Sequence, residues 1–351
     1  MNYLLKIQKK LVPELINIAE MRYNILKEVF NHQPIGRRNL ARKLNLSIRN
    51  VRKHLDFLYE KRYIKITKSG AVITENGEDF LHDLDTYMKE IKDIANLENR
   101  VEKLLGIDKV MIVPVEKDSE IINKEIGRFT SRFLREMIKD EDIIAVTGGS
   151  TLAQVAETMV YLEEPKEVTV IPGRGGLGEN VEIQANTIAS KIAKKLGGRY
   201  KLLHIPDDIT RESLAMITSE PSVKKTLDQL QQANILIHGI GTAEMMSARR
   251  DMDPSEVNKL KEKGALAEAF GLYFNEEGEV VYSTASVGLS MADLKNINKV
   301  IAVAGGVDKA RAIISVVSPE YHDILITDEL TAREIISLKG GENDKNLNNV
   351  Y

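Results

Sequence analysis

Four short stretches combine glycine with hydroxyl or cationic side chains in a way that suits an anion: "TGGST" at 147–151, "PGRGGLGENVEIQ" at 172–184, "HGIGTAEMMSARR" at 238–250 and "AGGVDKARAI" at 304–313. Glycine lets backbone approach a ligand closely, and the N–H groups and dipole of a helix start attract negative charge. Gly148 and Gly149 supply backbone, Ser150 and Thr151 hydroxyls, Arg174 a planar guanidinium fork, and Lys309 a compact positive charge. Four such loops with two cations fit a phosphorylated small molecule. Nucleotide chemistry is not indicated, because "TGGST" lacks the spaced glycines and lysine of a P-loop and "GRGGLG" is out of register with GxGxxG. A single glycine pair is often only turn chemistry, so the loops count as a site only if the fold brings them together.

Strands must position these loops. "DKVMIVPV", "DIIAV", "EVTVI", "YKLLHI", "NILIHGI", "EVVYSTA", "KVIAVAG" and "DILIT" are short runs rich in Val and Ile, alternating with helical stretches from Asp108 onward. Continuous apolar runs of this kind predict a parallel sheet covered on both faces, a doubly wound α/β domain over 108–351. Ligands in such sheets sit at the carboxyl ends of the strands, where the four loops fall.

The first part of the chain has another character. Residues 1–70 hold 16 Lys and Arg against 5 Asp and Glu, a net of +11 that leaves −14 for the remainder of a chain whose total is −3. Between Asn31 and Leu55 no acidic residue occurs, while Arg37, Arg38, Arg42, Lys43, Arg49, Arg52 and Lys53 all fall there. Leu15, Ile18, Ala19, Ile25, Leu26 and Val29 predict a first helix, "GRRNLARKL" a short second one, and "SIRNVRKHLDFLYEKRY" a longer third with Ser47 as its N-cap. In the third helix Ile48, Val51, Leu55 and Leu58 are expected inward and Arg49, Asn50, Arg52 and Lys53 outward. This is helix-turn-helix patterning, in which arginine and asparagine at the start of the second helix of the motif reach base edges in the major groove. "YIKITKSGAVITENG" adds a wing hairpin, so 1–76 is expected to be a winged helix-turn-helix contacting DNA through Arg37, Arg38, Ser47, Arg49, Asn50, Arg52 and Lys53. The alternative is a basic helix pair that is only solvated.

A linker helix is expected over 77–107. Phe80, Leu84, Tyr87, Ile91, Ile94, Val101 and Leu105 keep a heptad-like alternation that Glu98 interrupts, which suits either a coiled coil or a helix packed on its own chain.

Other chemistries find little support. There is no cysteine, so thiolate metal sites and disulfides are excluded, and the absence of a long apolar segment suggests a cytoplasmic protein without membrane contact. Six histidines occur. His238 precedes "GIG" and can reach the loops or serve as hydrogen-bonded structure, but no metal-ligand or nucleophile motif accompanies it. No cofactor, metal or catalytic residue is therefore expected, with an isomerase- or deaminase-like enzyme carrying a DNA-binding head as the alternative.

"QPIGRRNLARKL", "TGGSTLAQVAE", "PGRGGLGENVEIQANTIA", "HGIGTAEMMSARR" and "AGGVDKARAI" together resemble the SorC family of sugar-responsive regulators over nearly the whole chain. The resemblance implies a winged helix-turn-helix head and an effector domain similar in fold to the sugar-phosphate isomerases and deaminases. It also implies a homo-oligomer, dimer or tetramer, that represses transcription. Operator DNA is its implied partner, and the implied effector is a phosphorylated sugar, fructose-1,6-bisphosphate in glycolytic members, whose binding releases the operator. Carried onto this sequence, the effector pocket would comprise Gly148, Gly149, Ser150, Thr151, Arg174, Gln184, Glu268 and Lys309. The family pattern has a glycine before the glutamate, where this chain has Ala267. Arg249 and Arg250 are candidates for a second phosphate, or else solvated surface.

Overall fold

The computed structural model describes residues 3–115, 119–175, 180–205, 211–284 and 287–347, and the chain divides into two compact units, 1–96 and 97–351. The first unit runs α1 (Tyr3–Leu11), α2 (Pro13–His32), α3 (Arg37–Lys43), α4 (Ile48–Glu60), β1 (Ile64–Ile66), β2 (Ala71–Ile73) and α5 (Glu75–Ile91). Its core collects Ile25, Leu26 and Val29 from α2, Leu40 from α3, Val51, Leu55 and Leu58 from α4, and Ile64 and Ala71 from the hairpin. Each Val, Leu or Ile side chain so buried contributes about 1.5–3 kcal/mol.

β1 and β2 pair antiparallel, and Ala71 bridges to Ile35 ahead of α3. Gly70 permits that bridge, because its φ is +142° and an added Cβ would stand 2.5 Å from the Ile35 carbonyl. Two expected inward positions lie outside instead: Leu15 is 55% and Ile48 47% exposed. Ile16 takes the inward place in α2, and Ile48 heads α4 one turn before the helix reaches the core.

The expected continuous linker helix is two helices. α5 ends at Ile91 and α6 (Ile94–Leu105) follows, with Asp93 between them in the left-handed region at φ +55°, a conformation aspartate tolerates. Phe80, Leu84, Tyr87 and Ile91 of the expected seam pack on the core of the first unit, and the Phe80 ring stacks on Tyr63 at 4.1 Å. Glu98, which broke the apolar alternation, ties α6 to the strand that follows. Its carboxylate accepts from the Ile112 N–H at 2.8 Å, and Glu102 accepts from the Val110 N–H at 3.0 Å.

Those amides lie in β3 (Lys109–Val113), followed by α7 (Ser119–Met137), β4 (Ile143–Val146), α8 (Ser150–Thr158), β5 (Thr169–Pro172), α9 (Ala185–Leu196), β6 (Arg199–Tyr200), α10 (Arg211–Ser219), α11 (Pro221–Leu230) and β7 (Ile235–Gly239). Next come β8 (Gly241–Thr242), α12 (Ala243–Arg249), α13 (Pro254–Glu262), β9 (Ala267–Ala269), β10 (Leu272–Phe274), β11 (Val280–Ser283) and α14 (Met291–Leu294). β12 (Lys299–Val303), α15 (Ala310–Val316), β13 (Ile324–Asp328) and α16 (Glu329–Leu347) complete the described chain.

Seven strands form one parallel sheet in the order β3-β13-β12-β7-β4-β5-β6. Alternate residues serve opposite faces. Ile144, Val146, Ile235 and Ile237 pack with α7, α8 and α9, whereas Ala145 and Leu236 pack with Leu230 of α11 and Leu294 of α14. The sheet is thus covered on both sides, as its unbroken apolar strands require.

Two strand expectations need correction. "YKLLHI" contributes only Tyr200 to a strand, and "EVVYSTA" joins no parallel sheet. β11 pairs antiparallel with β10 in a separate four-stranded sheet, β11-β10-β9-β8, because only the short turn after Phe274, closed by Asn275 and Glu279, separates the two strands. Among the described residues no helix is long and apolar enough to cross a membrane.

Candidate functional site

The loops after β4, β5, β7 and β12 converge on one cavity of about 350 Å³ at the carboxyl ends of neighbouring strands. Seven of the eight expected residues line it: Gly148, Gly149, Ser150, Thr151, Arg174, Glu268 and Lys309. Gln184 does not; it joins the turn Val181–Ile183 to α9, and Asn180 and Ile183 line the cavity in its place. Residues 176–179 of the second loop lie outside the described residues.

After β4, the Gly149 N–H is fixed to the Ile183 carbonyl at 2.8 Å and the Gly149 carbonyl accepts the first helical bond, from Ala153. The N–H groups of Ser150, Thr151 and Leu152 therefore belong to the unpaired first turn of α8, the part of a helix that binds anions. The Thr151 hydroxyl is not a donor to the cavity as expected, since it donates to Asn123 Oδ1 at 3.0 Å. Asn123 is a contact that no loop motif signalled.

The cationic residues divide into two groups. Arg174 and Arg250 both hold Glu268, whose Oε1 accepts from Arg250 Nη2 at 2.8 Å, from the Gly271 N–H at 2.6 Å and from Arg174 Nη1 at 3.5 Å. All three ionic side chains are less than a tenth exposed. Gly271 makes this possible: at φ +76°, an added Cβ would fall 2.1 Å from Arg174 Nη1. Arg174 also donates to Thr284 Oγ1 at 3.1 Å, and its backbone bridges to Gly288.

Lys309 and Arg249 form the second group. Lys309 is only 9% exposed, and burial pushes its ammonium below the usual lysine range; Arg249 pushes the same way, while Asp308 and Asp328 oppose it. A buried cation of this kind favours an incoming anion, which restores the stability of its charged form. The loop carrying it is pinned by Asp328, which accepts from the Gly306 N–H at 2.8 Å and from the Thr331 hydroxyl at 2.5 Å. Arg249 lines the cavity and Arg250 does not, so the two neighbouring arginines have separate roles.

His238 serves structure. It is fully buried, its Nδ1 lies 3.1 Å from the Gly239 carbonyl, and it is not among the lining residues. Burial, with His322 beside it, holds its pKa well below the ordinary value, so the ring is neutral. The remaining lining includes Ile240, Met245, Met246 and Phe270, apolar residues that glycine-loop signatures do not reveal.

In the first unit the expected DNA-contacting residues are all exposed. Arg37 and Arg38 open α3, and Arg49, Asn50, Arg52 and Lys53 are exposed on α4 opposite the buried Val51, His54, Leu55 and Leu58. Ser47 caps α4 by accepting from the Asn50 N–H at 3.2 Å. Arg52 Nε stands 3.8 Å from Asp56 Oδ2, an exposed pair too weak to withhold it from a phosphate. His54 is buried, and desolvation, reinforced by Arg22 and Lys53, keeps it neutral in the core.

A basic helix-turn-helix unit joined to an α/β unit with an anion-suited cavity defines a transcriptional regulator that binds DNA and a small molecule. Two family models agree: "CggR N-terminal DNA binding domain" matches residues 18–88 and "Putative sugar-binding domain" matches residues 89–337. The chain belongs to the SorC family of transcriptional regulators. It is similar to the central glycolytic genes regulator of Priestia megaterium, 42% identical over 96% of this chain and 99% of that protein. The Bacillus subtilis protein of the same name is 38% identical over the same shares. A crystal structure described as "the putative SorC family transcriptional regulator from Enterococcus faecalis" superposes with a TM-score of 0.64 at 38% identity, covering 69% of this chain and 99% of that one. The chain is accordingly a transcriptional regulator, not an enzyme.

Proposed function

We propose that this protein represses glycolytic genes, and that a phosphorylated sugar, fructose-1,6-bisphosphate in first place, binds the cavity and weakens its hold on operator DNA. The observation that carries the proposal is the convergence of seven expected residues, from three strand-end loops and strand β9, on a single cavity of about 350 Å³. That size and lining, apolar walls with a few convergent polar groups, suits a small ligand. The relatives named as central glycolytic genes regulators support the choice of target genes.

One phosphate sits on the first-turn amides of α8 with Ser150 and Lys309, and Arg249 receives the second. Glu268, held by its two arginines, accepts a sugar hydroxyl. Release from DNA requires the effector to favour a state with lower operator affinity, since equal binding to both states shifts nothing. The regulator acts as a homo-oligomer, a dimer or tetramer, which places two or more heads on one operator.

Thermal unfolding with fructose-1,6-bisphosphate, fructose-6-phosphate and inorganic phosphate ranks the effectors. Ligand at a hundredfold excess over Kd adds about 2.7 kcal/mol. A mobility shift on DNA from upstream of glycolytic genes, with and without the best ligand at fixed salt, tests the regulation. No thermal shift with any of the three, or unchanged operator binding at saturation, contradicts the proposal.

A further inference from the structure

The apolar wall of the cavity is built under more constraint than anion binding requires. Phe270 is the only aromatic side chain among the described residues that line it. It occupies the two-residue loop between β9 and β10, where Ala269 pairs with Leu272 and both loop residues have positive φ, +57° at Phe270 and +76° at Gly271. A hairpin loop with two positive φ values favours Asn, Asp or Gly at the first position, and a bulky aromatic there runs against local preference. Such a departure marks a residue kept for what its side chain does.

The ring is also backed with care. Behind it lies His238, centroids 4.3 Å apart, and beyond that His322, a further 5.0 Å. His238 Nδ1 faces a carbonyl, which only accepts, so the proton resides on Nδ1; the Ser318 N–H donates to His322 Nδ1, so that ring carries its proton on Nε2. Neither Nε2 has a hydrogen-bond partner among the described residues, and burial keeps both rings uncharged. Three neutral rings thus follow one another, tilted by 41° and 50°, and the last of them, Phe270, lines the cavity. None of them can hold a phosphate.

We infer that Phe270 selects the ring form of the sugar: its face packs against the C–H face of a closed furanose or pyranose, while the strand-end loops take the phosphates. This rests on the cavity being a phosphorylated-sugar site. The negative face of an aromatic ring attracts polarised C–H groups, which a closed sugar displays on one side and an open polyol chain does not display as a surface.

The test uses the full chain, titrated calorimetrically with fructose-1,6-bisphosphate, with an open-chain hexitol 1,6-bisphosphate and with inorganic phosphate. Phe270→Asn installs the residue the loop prefers but gives up the ring's packing on His238 and on the apolar cluster beneath it, so the unliganded variant melts lower than wild type and Phe270→Leu serves as the control that keeps apolar volume. The affinity of Phe270→Asn for fructose-1,6-bisphosphate falls about five- to tenfold, while binding of the hexitol bisphosphate and of phosphate stays within about twofold. Phe270→Leu, which keeps volume without the π face, shows the same loss, and Phe270→Tyr restores binding. Equal weakening of all three ligands, or no weakening at all, in Phe270→Leu overturns the assignment of Phe270. If wild-type protein binds none of the three, the cavity is not a sugar-phosphate site and the inference falls with it; that failure is distinguished by being visible before any substitution is made.

Discussion

Glu268→Gln probes the buried arrangement most sharply, because it removes one charge and almost no volume. Glu268 Oε1 lies 2.8 Å from Arg250 Nη2 and 3.5 Å from Arg174 Nη1, and all three side chains are less than a tenth exposed. At an effective dielectric of about 20, attraction over these distances is roughly 6 and 5 kcal/mol, most of it offset by desolvation. Removing one partner from such a cluster costs about 3–5 kcal/mol. The glutamine carbonyl still accepts from Arg250 or the Gly271 N–H, which places the expected loss near the lower end, about 3 kcal/mol. For a unit of this size that is about 6–12 °C in melting temperature. The assay is thermal unfolding of the full chain without effector, followed by the same scan in concentrated inorganic phosphate, which supplies negative charge to the cavity and narrows the gap to wild type. A shift under about 2 °C would refute the reasoning, since it would mean that the two guanidinium groups need no carboxylate between them.

Lys309→Met removes a cation that burial already disfavours, so the unliganded protein loses no more than about 1 kcal/mol while its thermal shift with sugar phosphate disappears; a retained shift contradicts the role given to Lys309. Stability depends on pH through His238 and His322: the folded state depresses both pKa values, to about 4 for His322, so the unfolded chain binds more protons below about pH 6.5. Their stabilising effect is complete above that pH and falls as pH drops, by about 3 kcal/mol for His322 near pH 4, and His322→Gln flattens the profile in urea unfolding between pH 7 and pH 4.5. In the head, Asn50→Ala costs about 1–3 kcal/mol on operator DNA with little effect on nonspecific DNA, whereas Lys53→Ala weakens both and lowers the salt slope by about one, as gel shifts over a salt series will show.

The anion-suited loops are legible in the sequence because backbone chemistry writes them locally: "GGST" and "GGVDK" follow apolar runs whose own composition announces strands. The sheet then brings them together, as doubly wound topology requires. Phe270 is illegible for the converse reason. Its place depends on a hairpin whose first strand, Ala267–Ala269, has no alternation to read, and on two histidines drawn from β7 and the turn before β13. The split of the linker hides likewise, since the apolar period continues through Ile91 and Ile94 while Asp93 turns the backbone between them. Ile48 shows the limit of helix periodicity at a first turn, where an apolar residue at the right spacing still projects beyond the core.

The most direct measurement is the fluorescence anisotropy of operator DNA from upstream of glycolytic genes, bound to the full chain at fixed salt and titrated with fructose-1,6-bisphosphate. Operator affinity is expected to fall tenfold or more, a coupling of about 1.4 kcal/mol, in wild type and to stay constant in Lys309→Met. Unchanged anisotropy in wild-type protein that a parallel thermal shift shows to be saturated with the ligand would contradict the coupling of cavity to head.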